Sequence, residues 1–214
     1  MSKIVYSRQT KYLETLRVEQ DELILEMENF AVENKIPILN WNSAEFLESQ
    51  ILIKKPGRVL EIGAAIAYSA IRVARNLKKN AVIDTIEKSK DNIKLAKKFI
   101  KKSGLSKKIN LIEGDALKIM PQLEHSYDLI FLDADKEDYQ ILFHYSLMLL
   151  KKGGVLFVDN LLWYGHAAAK SVPPKLKNST KHIKEFNKLF VNFNNLKTTI
   201  VPIGDGIGIG VKLN

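Results

Sequence analysis

Short β-branched segments alternate with helical segments from residue 57 onward, and this alternation constrains the fold more than any other feature. Helical spacing fills the intervals between the apolar segments. Because two parallel strands of one sheet are joined by a crossover helix, the pattern predicts a doubly wound, mostly parallel α/β sheet with helices on both faces. Five apolar segments of strand length follow Pro56-Gly57, at residues 58–62, 81–86, 109–112, 129–132 and 155–158.

The two ends of the chain depart from this alternation. Residues 8–34 and a segment that opens at Asn42-Ser43 show helical spacing and predict two leading helices. Near the end, a helix at 183–193 precedes strands at 198–203 and 207–211, whose Gly-Asp-Gly connection predicts an antiparallel hairpin. We therefore expect one domain, with N-terminal helices in residues 1–55 and a seven-stranded core in residues 56–214.

Composition removes several classes of protein. No apolar run approaches the roughly 18 residues of a membrane helix, and the first six residues do not begin a signal peptide. We therefore expect a cytoplasmic protein without a membrane partner. The absence of cysteine excludes thiolate chemistry, and the four histidines are not clustered, so oxygen atoms are the expected ligands of any metal.

The net charge of +9 is unevenly distributed. The first 50 residues carry more acidic than basic side chains, and the basic excess lies in the segments 88–108 and Lys170 to Lys188. Apolar residues at helical spacing lie among the lysines of the first segment, which predicts the solvated face of an amphipathic helix. The second segment contains Glu185 as its single acid and begins in a Pro173-Pro174 loop, so we regard it as a candidate for phosphate contacts.

Polar residues follow the first three strands, where an open α/β sheet binds ligands. The first strand ends in Glu61-Ile62-Gly63 and leads into a helix near Ser69. The second strand ends in Glu87, where a carboxylate can accept hydrogen bonds from both hydroxyls of a ribose. Gly114-Asp115-Ala116 follows the third strand and leaves room for an adenine ring. Together they predict a nucleoside site, although Glu87 and Asp115 also suit roles at helix N-termini.

The fourth and fifth strands deliver a second polar group. Asp133-Ala134-Asp135-Lys136 follows the fourth strand and Asp159-Asn160 follows the fifth. Asp133, Asp159 and Asn160 present three hard oxygen ligands, which suits Mg²⁺, whereas two helix caps and an unrelated asparagine are the alternative. Lys136 is either a surface lysine or a base that removes a proton from a hydroxyl.

These motifs, in this order, resemble the cation-dependent class I S-adenosylmethionine O-methyltransferases, which include the catechol and caffeoyl-CoA O-methyltransferases. Within that family, residues 36–38, 68–72 and 202–206 look closest to the bacterial tRNA 5-hydroxyuridine methyltransferases. The resemblance implies a Rossmann-like methyltransferase fold, S-adenosyl-L-methionine as methyl donor and Mg²⁺ or another divalent cation. It also implies a homodimer, for which the apolar side of residues 8–34 is the candidate interface.

The same resemblance assigns roles to single residues. Asp133, Asp159 and Asn160 would hold the metal, and Lys136 and Asp133 would be the catalytic residues beside the attacking oxygen. Two positions depart from the family pattern: Ala67 replaces a glycine, and Leu39 stands where relatives often have methionine. The donor contacts would be Leu39, Glu61, Gly63, Ser69, Glu87, Asp115, Ala116 and Asp133.

The reaction implied by this resemblance is methyl transfer to a substrate with two adjacent oxygens. Methylation of 5-hydroxyuridine at the tRNA wobble position, giving 5-methoxyuridine, is the leading hypothesis, because Lys170 to Lys188 forms a basic rim. Trp163, Tyr164 and His166 are candidates for stacking on a base, or else packing residues. The alternatives are a small catechol-type or caffeoyl-CoA-like substrate, and a non-catalytic RNA-binding protein, for which Ala67 is the hint.

Overall fold

The structure, a computed structural model that describes residues 7–214, contains a seven-stranded sheet. The strands lie side by side in the order β3-β2-β1-β4-β5-β7-β6. The first five are parallel, and β7 runs antiparallel to both β5 and β6, which confirms the predicted fold class. The strands are β1 (Arg58–Ile62), β2 (Val82–Glu87), β3 (Ile109–Glu113), β4 (Tyr127–Leu132), β5 (Leu150–Val158), β6 (Leu196–Val201) and β7 (Ile207–Lys212).

The strand order reverses between β1 and β4. The chain first builds outward from β1 to β3 and then crosses to the other side of β1 to form β4. At this reversal the crossover helices leave on opposite faces, which opens a crevice at the carboxyl ends of the strands. The amide nitrogen of Asp133 donates to the carbonyl oxygen of Ile62 at 3.0 Å and thereby joins the two strand ends that border the crevice.

Helices cover both faces of the sheet. Helices α4 (Tyr68–Asn76) and α5 (Lys90–Ser103) pack on one face, and α7 (Tyr139–Leu149) and α8 (Lys177–Val191) on the other, with the short α6 (Ala116–Ile119). Successive residues of the central strands alternate between two apolar clusters. Burial on both sides explains why these strands are continuously apolar in the sequence. Helix α8 begins six residues before the predicted position 183 and so includes several of the lysines.

Three helices, rather than the predicted two, precede the sheet: α1 (Ser7–Leu16), α2 (Glu22–Asn34) and α3 (Trp41–Lys54). The prediction of one helix over residues 8–34 was wrong because Asp21 begins a new helix, accepting hydrogen bonds from the backbone nitrogens of Leu23 and Ile24. Apolar spacing continues across the break, but Leu16 and Val18 are exposed. The homodimer remains a prediction that depends on this exposed apolar surface.

The start of α3 also differs from the prediction. Asn40, not Asn42-Ser43, caps the helix, because its side-chain oxygen accepts a hydrogen bond from the backbone nitrogen of Asn42 at 3.3 Å. Ser43 lies within the first turn and is buried against the hairpin, where a Cβ on Gly204 would lie 2.1 Å from the Ser43 hydroxyl oxygen. The leading helices thus pack against the last turn of the chain. Across residues 7–214, none of the helices is long and apolar enough to cross a membrane.

Candidate functional site

A cavity of about 610 Å³ opens at the carboxyl ends of the parallel strands. Three of the predicted donor contacts, Leu39, Glu61 and Ser69, are buried but do not line this cavity. Pro37 and Ile38, which directly precede Leu39, do line it. The structure therefore brings together two strand-end groups that the sequence had placed separately. The predicted site residues that line the cavity are Gly63, Glu87, Asp115, Ala116, Asp133, Lys136, Asp159 and Asn160.

Two carboxylates mark one end of the cavity. The two carboxylate oxygens of Glu87 accept hydrogen bonds from the backbone nitrogens of Ala65 at 2.8 Å and Ser89 at 2.7 Å, which fixes the orientation of this carboxylate. Asp115 caps α6, because its side chain accepts a hydrogen bond from the backbone nitrogen of Leu117 at 3.0 Å. The structure therefore confirms the helix-capping role that the sequence offered as an alternative for this residue. A carboxylate has about four acceptor positions, so both side chains keep capacity for ligand hydroxyls or amino groups.

The loop after β1 depends on small residues. Gly63 has a φ of 101°, and a Cβ added there would lie 1.9 Å from the carbonyl oxygen of Asp133. The absence of a side chain therefore lets the backbone after β1 lie close to the backbone at the end of β4. Ala67 also has a left-handed backbone, with φ 67°, which costs a residue with a Cβ about 1 kcal/mol and suits glycine better. Its side chain is fully buried in the apolar core and does not line the cavity.

Glu61 lies directly behind the cavity and is fully buried. One carboxylate oxygen accepts a hydrogen bond from the Thr85 hydroxyl, whereas Oε1 has no hydrogen-bond partner among the described residues. Burial, reinforced by the negative charges of Asp133 and Glu87, raises the pKa of Glu61 to about 7, against the lowering effect of the nearby Ser69 and Thr85 hydroxyl groups. The Glu61 carboxyl group is therefore poised to titrate near neutral pH.

The other end of the cavity holds the three predicted metal ligands. Lys136 Nζ donates to Oδ1 of Asp133 at 3.2 Å and to Oδ1 of Asn160 at 2.6 Å, so a positive charge lies between two of them. Asp159 is buried, and its Oδ1 atom has no hydrogen-bond partner within the described part of the chain. Burial first, and then the charge of Asp133, raises the pKa of Asp159.

These three side chains fit a divalent cation. An unpartnered buried carboxylate oxygen beside a second carboxylate and an amide oxygen is a hard-oxygen donor set, which suits Mg²⁺. No group of three or more histidine, aspartate or glutamate side chains in residues 7–214 forms a metal site by itself. The amide oxygen of Asn160 is therefore an essential part of the predicted set.

Lys136 is a cavity residue and not a surface lysine, since its side chain is only 11% exposed. Its ammonium group also lies within hydrogen-bonding distance of the hydroxyl oxygen of Tyr139, at 2.7 Å, and the carbonyl oxygen of Ala134, at 2.9 Å, so four acceptors share its three N–H groups. Tyr139 in turn donates to the backbone carbonyl oxygen of Asp159 at 3.1 Å, and burial raises the pKa of its phenol. The positive charge is thus held in a fixed position beside the predicted ligands.

Asp205 is a residue of the site that the sequence did not reveal. It lies in the turn between β6 and β7, and its carboxylate accepts hydrogen bonds from Asn160 Nδ2 at 3.2 Å and from the backbone nitrogen of Tyr164. With the amide nitrogen held in this way, Asn160 Oδ1 faces Lys136. The resemblance of residues 202–206 to one group of relatives was the available signal, but the turn becomes part of the site only because β7 pairs with β5.

Two aromatic residues complete the cavity wall. Trp163 and Tyr164 line it, whereas His166, the third predicted stacking residue, does not. Tyr164 is 59% exposed, and both aromatic residues have left-handed backbones, with φ values of 48° and 52°. Such strain in residues with a Cβ concentrates at functional sites. A planar group that enters the cavity would therefore meet these rings next to Lys136, whose Nζ lies 5.8 Å from the Trp163 ring centre.

Comparisons with known proteins match this architecture. A family model described as O-methyltransferase matches residues 14–213. The caffeoyl-CoA O-methyltransferase of Populus kitakamiensis is 31% identical over 180 residues, covering 80% of this chain and 77% of that protein. A Staphylococcus aureus structure, provisionally named a caffeoyl-CoA O-methyltransferase, superposes with a TM-score of 0.90 at 27% identity, covering 96% of this chain and all of that one.

A Bacillus cereus O-methyltransferase solved in complex with SAH has the same fold, with a TM-score of 0.83 at 24% identity. It covers 94% of this chain and 96% of its own. The family match extends over nearly all described residues. This chain belongs to the O-methyltransferase family.

Proposed function

We propose that this protein is an S-adenosylmethionine- and Mg²⁺-dependent O-methyltransferase that converts 5-hydroxyuridine at the tRNA wobble position to 5-methoxyuridine. One observation supports this chemistry. A single cavity has two carboxylates with free acceptor positions at one end, and three hard oxygen ligands beside a lysine held by hydrogen bonds at the other. Its volume of about 610 Å³ lies within the range of small-molecule sites. Donor and acceptor can therefore meet in one cavity.

The donor end is formed by Glu87 and Asp115. Two backbone N–H groups orient the carboxylate of Glu87, so it can accept hydrogen bonds from both ribose hydroxyl groups without reorganising. The turn at Gly114-Asp115-Ala116 gives an adenine ring a small-residue wall. SAH in the Bacillus cereus relative supports this class of donor. Because the Ala67 methyl group lies in the core, the departure at this position gives no reason to expect the loss of donor binding.

The acceptor end is formed by the predicted metal ligands and Lys136. When bound, a divalent cation would lower the pKa of a coordinated hydroxyl group. Asp133, Asp159 and Asn160 would hold it. Lys136 places a positive charge where the substrate oxygen becomes negative, and Tyr139 and Asp205 keep Lys136 and Asn160 in place. The oxygen–methyl bond forms as the methyl–sulfur bond of the donor breaks, and the hydroxyl proton leaves to water, since the Lys136 ammonium group has no lone pair to accept it.

The substrate must offer two neighbouring oxygens at this end. The 4-oxo and 5-hydroxy groups of 5-hydroxyuridine meet this requirement, and Trp163 and Tyr164 can stack on the base. The basic segment Lys170 to Lys188 continues along α8, close to the cavity, and favours an RNA. A second candidate is a small catechol-type or caffeoyl-CoA-like substrate, favoured by the name of the Populus kitakamiensis relative.

The test compares both substrate classes in one assay. Purified protein is incubated with S-adenosylmethionine, Mg²⁺ and hypomodified tRNA that carries 5-hydroxyuridine, and the nucleosides are measured by mass spectrometry, beside reactions with a catechol and with caffeoyl-CoA. We expect 5-methoxyuridine, lost with EDTA and restored by Mg²⁺. The variant Asp159→Asn should be inactive, whereas Asp91→Asn, on the exposed face of α5, should match the wild type.

Two results would contradict the proposal. Turnover of the catechol or the thioester without any tRNA product would assign the small-molecule function instead. Calorimetry with S-adenosylmethionine tests the non-catalytic alternative separately, because micromolar binding excludes a protein that has lost its donor site, and absence of binding supports one.

A further inference from the structure

A lysine-lined groove runs along α8, separate from the main cavity. Its volume is about 340 Å³. Lys177, Lys181, Lys184 and Lys188 line it at spacings of four, three and four residues, so they lie on one face of the helix over about 16 Å. All four are exposed. Among the described residues, only Lys181 of these four has an acidic partner, Glu185 at 4.0 Å.

The lysines of α5 behave differently. Several of them are paired with carboxylates, as Lys97 is with Glu113 at 2.5 Å and Lys102 is with Glu26. The charge on that helix is therefore partly neutralised within the protein. On α8 the one such pair among the described residues is Lys181 with Glu185, which also lines the groove, so Lys177, Lys184 and Lys188 remain unpaired. A row of largely unbalanced cations attracts a polyanion.

A buried hydroxyl group gives an independent sign of a ligand. Thr180 lines the groove and is only 3% exposed, yet its Oγ1 atom has no hydrogen-bond partner in residues 7–214. Leaving such a group unpaired costs about 1–3 kcal/mol. An anionic oxygen in the groove would accept the hydrogen bond that this hydroxyl group offers.

The groove lies next to the main cavity. Ser179 lines the cavity and Thr180, the next residue, lines the groove. Asn187 fixes α8 to the site, because its side-chain nitrogen donates to the carbonyl oxygen of Leu161, directly after Asn160, at 2.7 Å. A polymer with one unit in the cavity therefore has a short path to the groove.

We propose that this groove binds the sugar–phosphate backbone of single-stranded RNA next to the nucleotide being methylated. The lysines contact successive phosphates, and the Thr180 hydroxyl group donates to a phosphate oxygen. RNA loops suit this arrangement, because their bases are free to leave the stack and enter a cavity. The inference rests on the proposed function. A coenzyme A thioester, which carries fewer phosphates, is the competing occupant.

The experiment removes the same number of charges from two helices. The test variant is Lys181→Gln/Lys184→Gln/Lys188→Gln, and the control is Lys94→Gln/Lys98→Gln/Lys101→Gln on the exposed face of α5. Binding of a fluorescein-labelled anticodon stem-loop RNA with unmodified uridine is followed by anisotropy between about 50 and 200 mM KCl. Because each lost single-strand phosphate contact lowers the salt slope by about 0.7, we expect a decrease of about 2 in the α8 variant and at least about tenfold weaker binding at the lowest salt.

Two further variants separate charge and hydroxyl effects from folding. Lys181→Arg/Lys184→Arg/Lys188→Arg keeps the charges and should bind RNA within about threefold of the wild type. Thr180→Val should weaken RNA binding without lowering the melting temperature, since it removes an unpaired buried hydroxyl group.

The outcomes distinguish the groove from the proposed function. If wild-type protein methylates the same stem-loop made with 5-hydroxyuridine in place of the uridine, while the α8 and control variants bind the uridine stem-loop equally well, the groove assignment is overturned and the function stands. If the wild type methylates only a catechol or a thioester, the proposed function is overturned. If coenzyme A displaces the RNA and the α8 variant loses affinity for both by the same factor, the groove is a thioester site and the RNA assignment is wrong.

Discussion

Replacing Glu61 by glutamine should stabilise the protein in a strongly pH-dependent manner. Glutamine keeps the shape of the side chain and can still hydrogen-bond with Thr85, but it carries no charge into the buried position. The carboxyl group of Glu61 has a pKa of about 7 in the folded protein, mainly because it is buried, against an ordinary value of 4.5. Folding must therefore either retain the proton or bury the negative charge.

The sign follows from the raised pKa. Below pH 4.5 the folded and unfolded states are both protonated, so Glu61 carries no penalty. As the pH rises from 4.5 to 7, the unfolded chain loses its proton first, and the folded state is progressively destabilised. Above pH 7 the penalty levels off at about 3 kcal/mol, since each pKa unit corresponds to about 1.36 kcal/mol. Glu61→Gln should thus exceed the wild type in stability by about 1 kcal/mol at pH 5 and about 3 kcal/mol at pH 8.

The assay is urea unfolding followed by circular dichroism at several pH values, with EDTA present and no methyl donor. The matched control is Glu124→Gln, because the Glu124 side chain is exposed in the folded protein. This variant should differ from the wild type by the same small amount at every pH. Two results would refute the assignment of a buried, proton-binding carboxyl group. One is a stability difference between Glu61→Gln and the wild type that does not change between pH 5 and pH 8, and the other is a wild type that is more stable than Glu61→Gln at pH 8.

Three further predictions concern the cavity. Gly63→Ala should lower the unfolding free energy by at least about 3 kcal/mol, because its Cβ meets a backbone oxygen, whereas Gly153→Ala, with positive φ but open space, should cost about 1 kcal/mol; urea titration compares them. Since burial raises the pKa of Asp159, Mg²⁺ binding should release a proton and tighten as pH rises, and calorimetry in two buffers of different ionisation enthalpy would detect this. Asp205→Asn should weaken Mg²⁺ binding about tenfold by releasing Asn160, and an unchanged affinity would contradict its positioning role.

The parallel core was predictable because its information is local. Each central strand is a short apolar run, and the residue that follows it must lie at the carboxyl edge of the sheet. Asp133 and Asp159 could therefore be placed together before the structure was known. The predicted amphipathic helix in segment 88–108 is likewise confirmed as α5, whose apolar side, including Phe99, is buried.

The parts that could not be predicted depend on long-range packing. The break before α2 is hidden because the apolar spacing through Leu16 and Val18 continues, and only the cap at Asp21 marks it. Asp205 enters the site through the pairing of β7 with β5, which no local pattern specifies. The unpaired hydroxyl group of Thr180 among the described residues is likewise a product of how α8 packs.

The central claim, methyl transfer to a hydroxylated tRNA base in the strand-end cavity, is tested most directly by mass spectrometry of tRNA after reaction with the purified protein. With S-adenosylmethionine, Mg²⁺ and tRNA containing 5-hydroxyuridine, we predict conversion to 5-methoxyuridine, dependent on Mg²⁺ and on Asp159. Unchanged 5-hydroxyuridine in tRNA, together with rapid methylation of caffeoyl-CoA or a catechol by the same preparation, would contradict it.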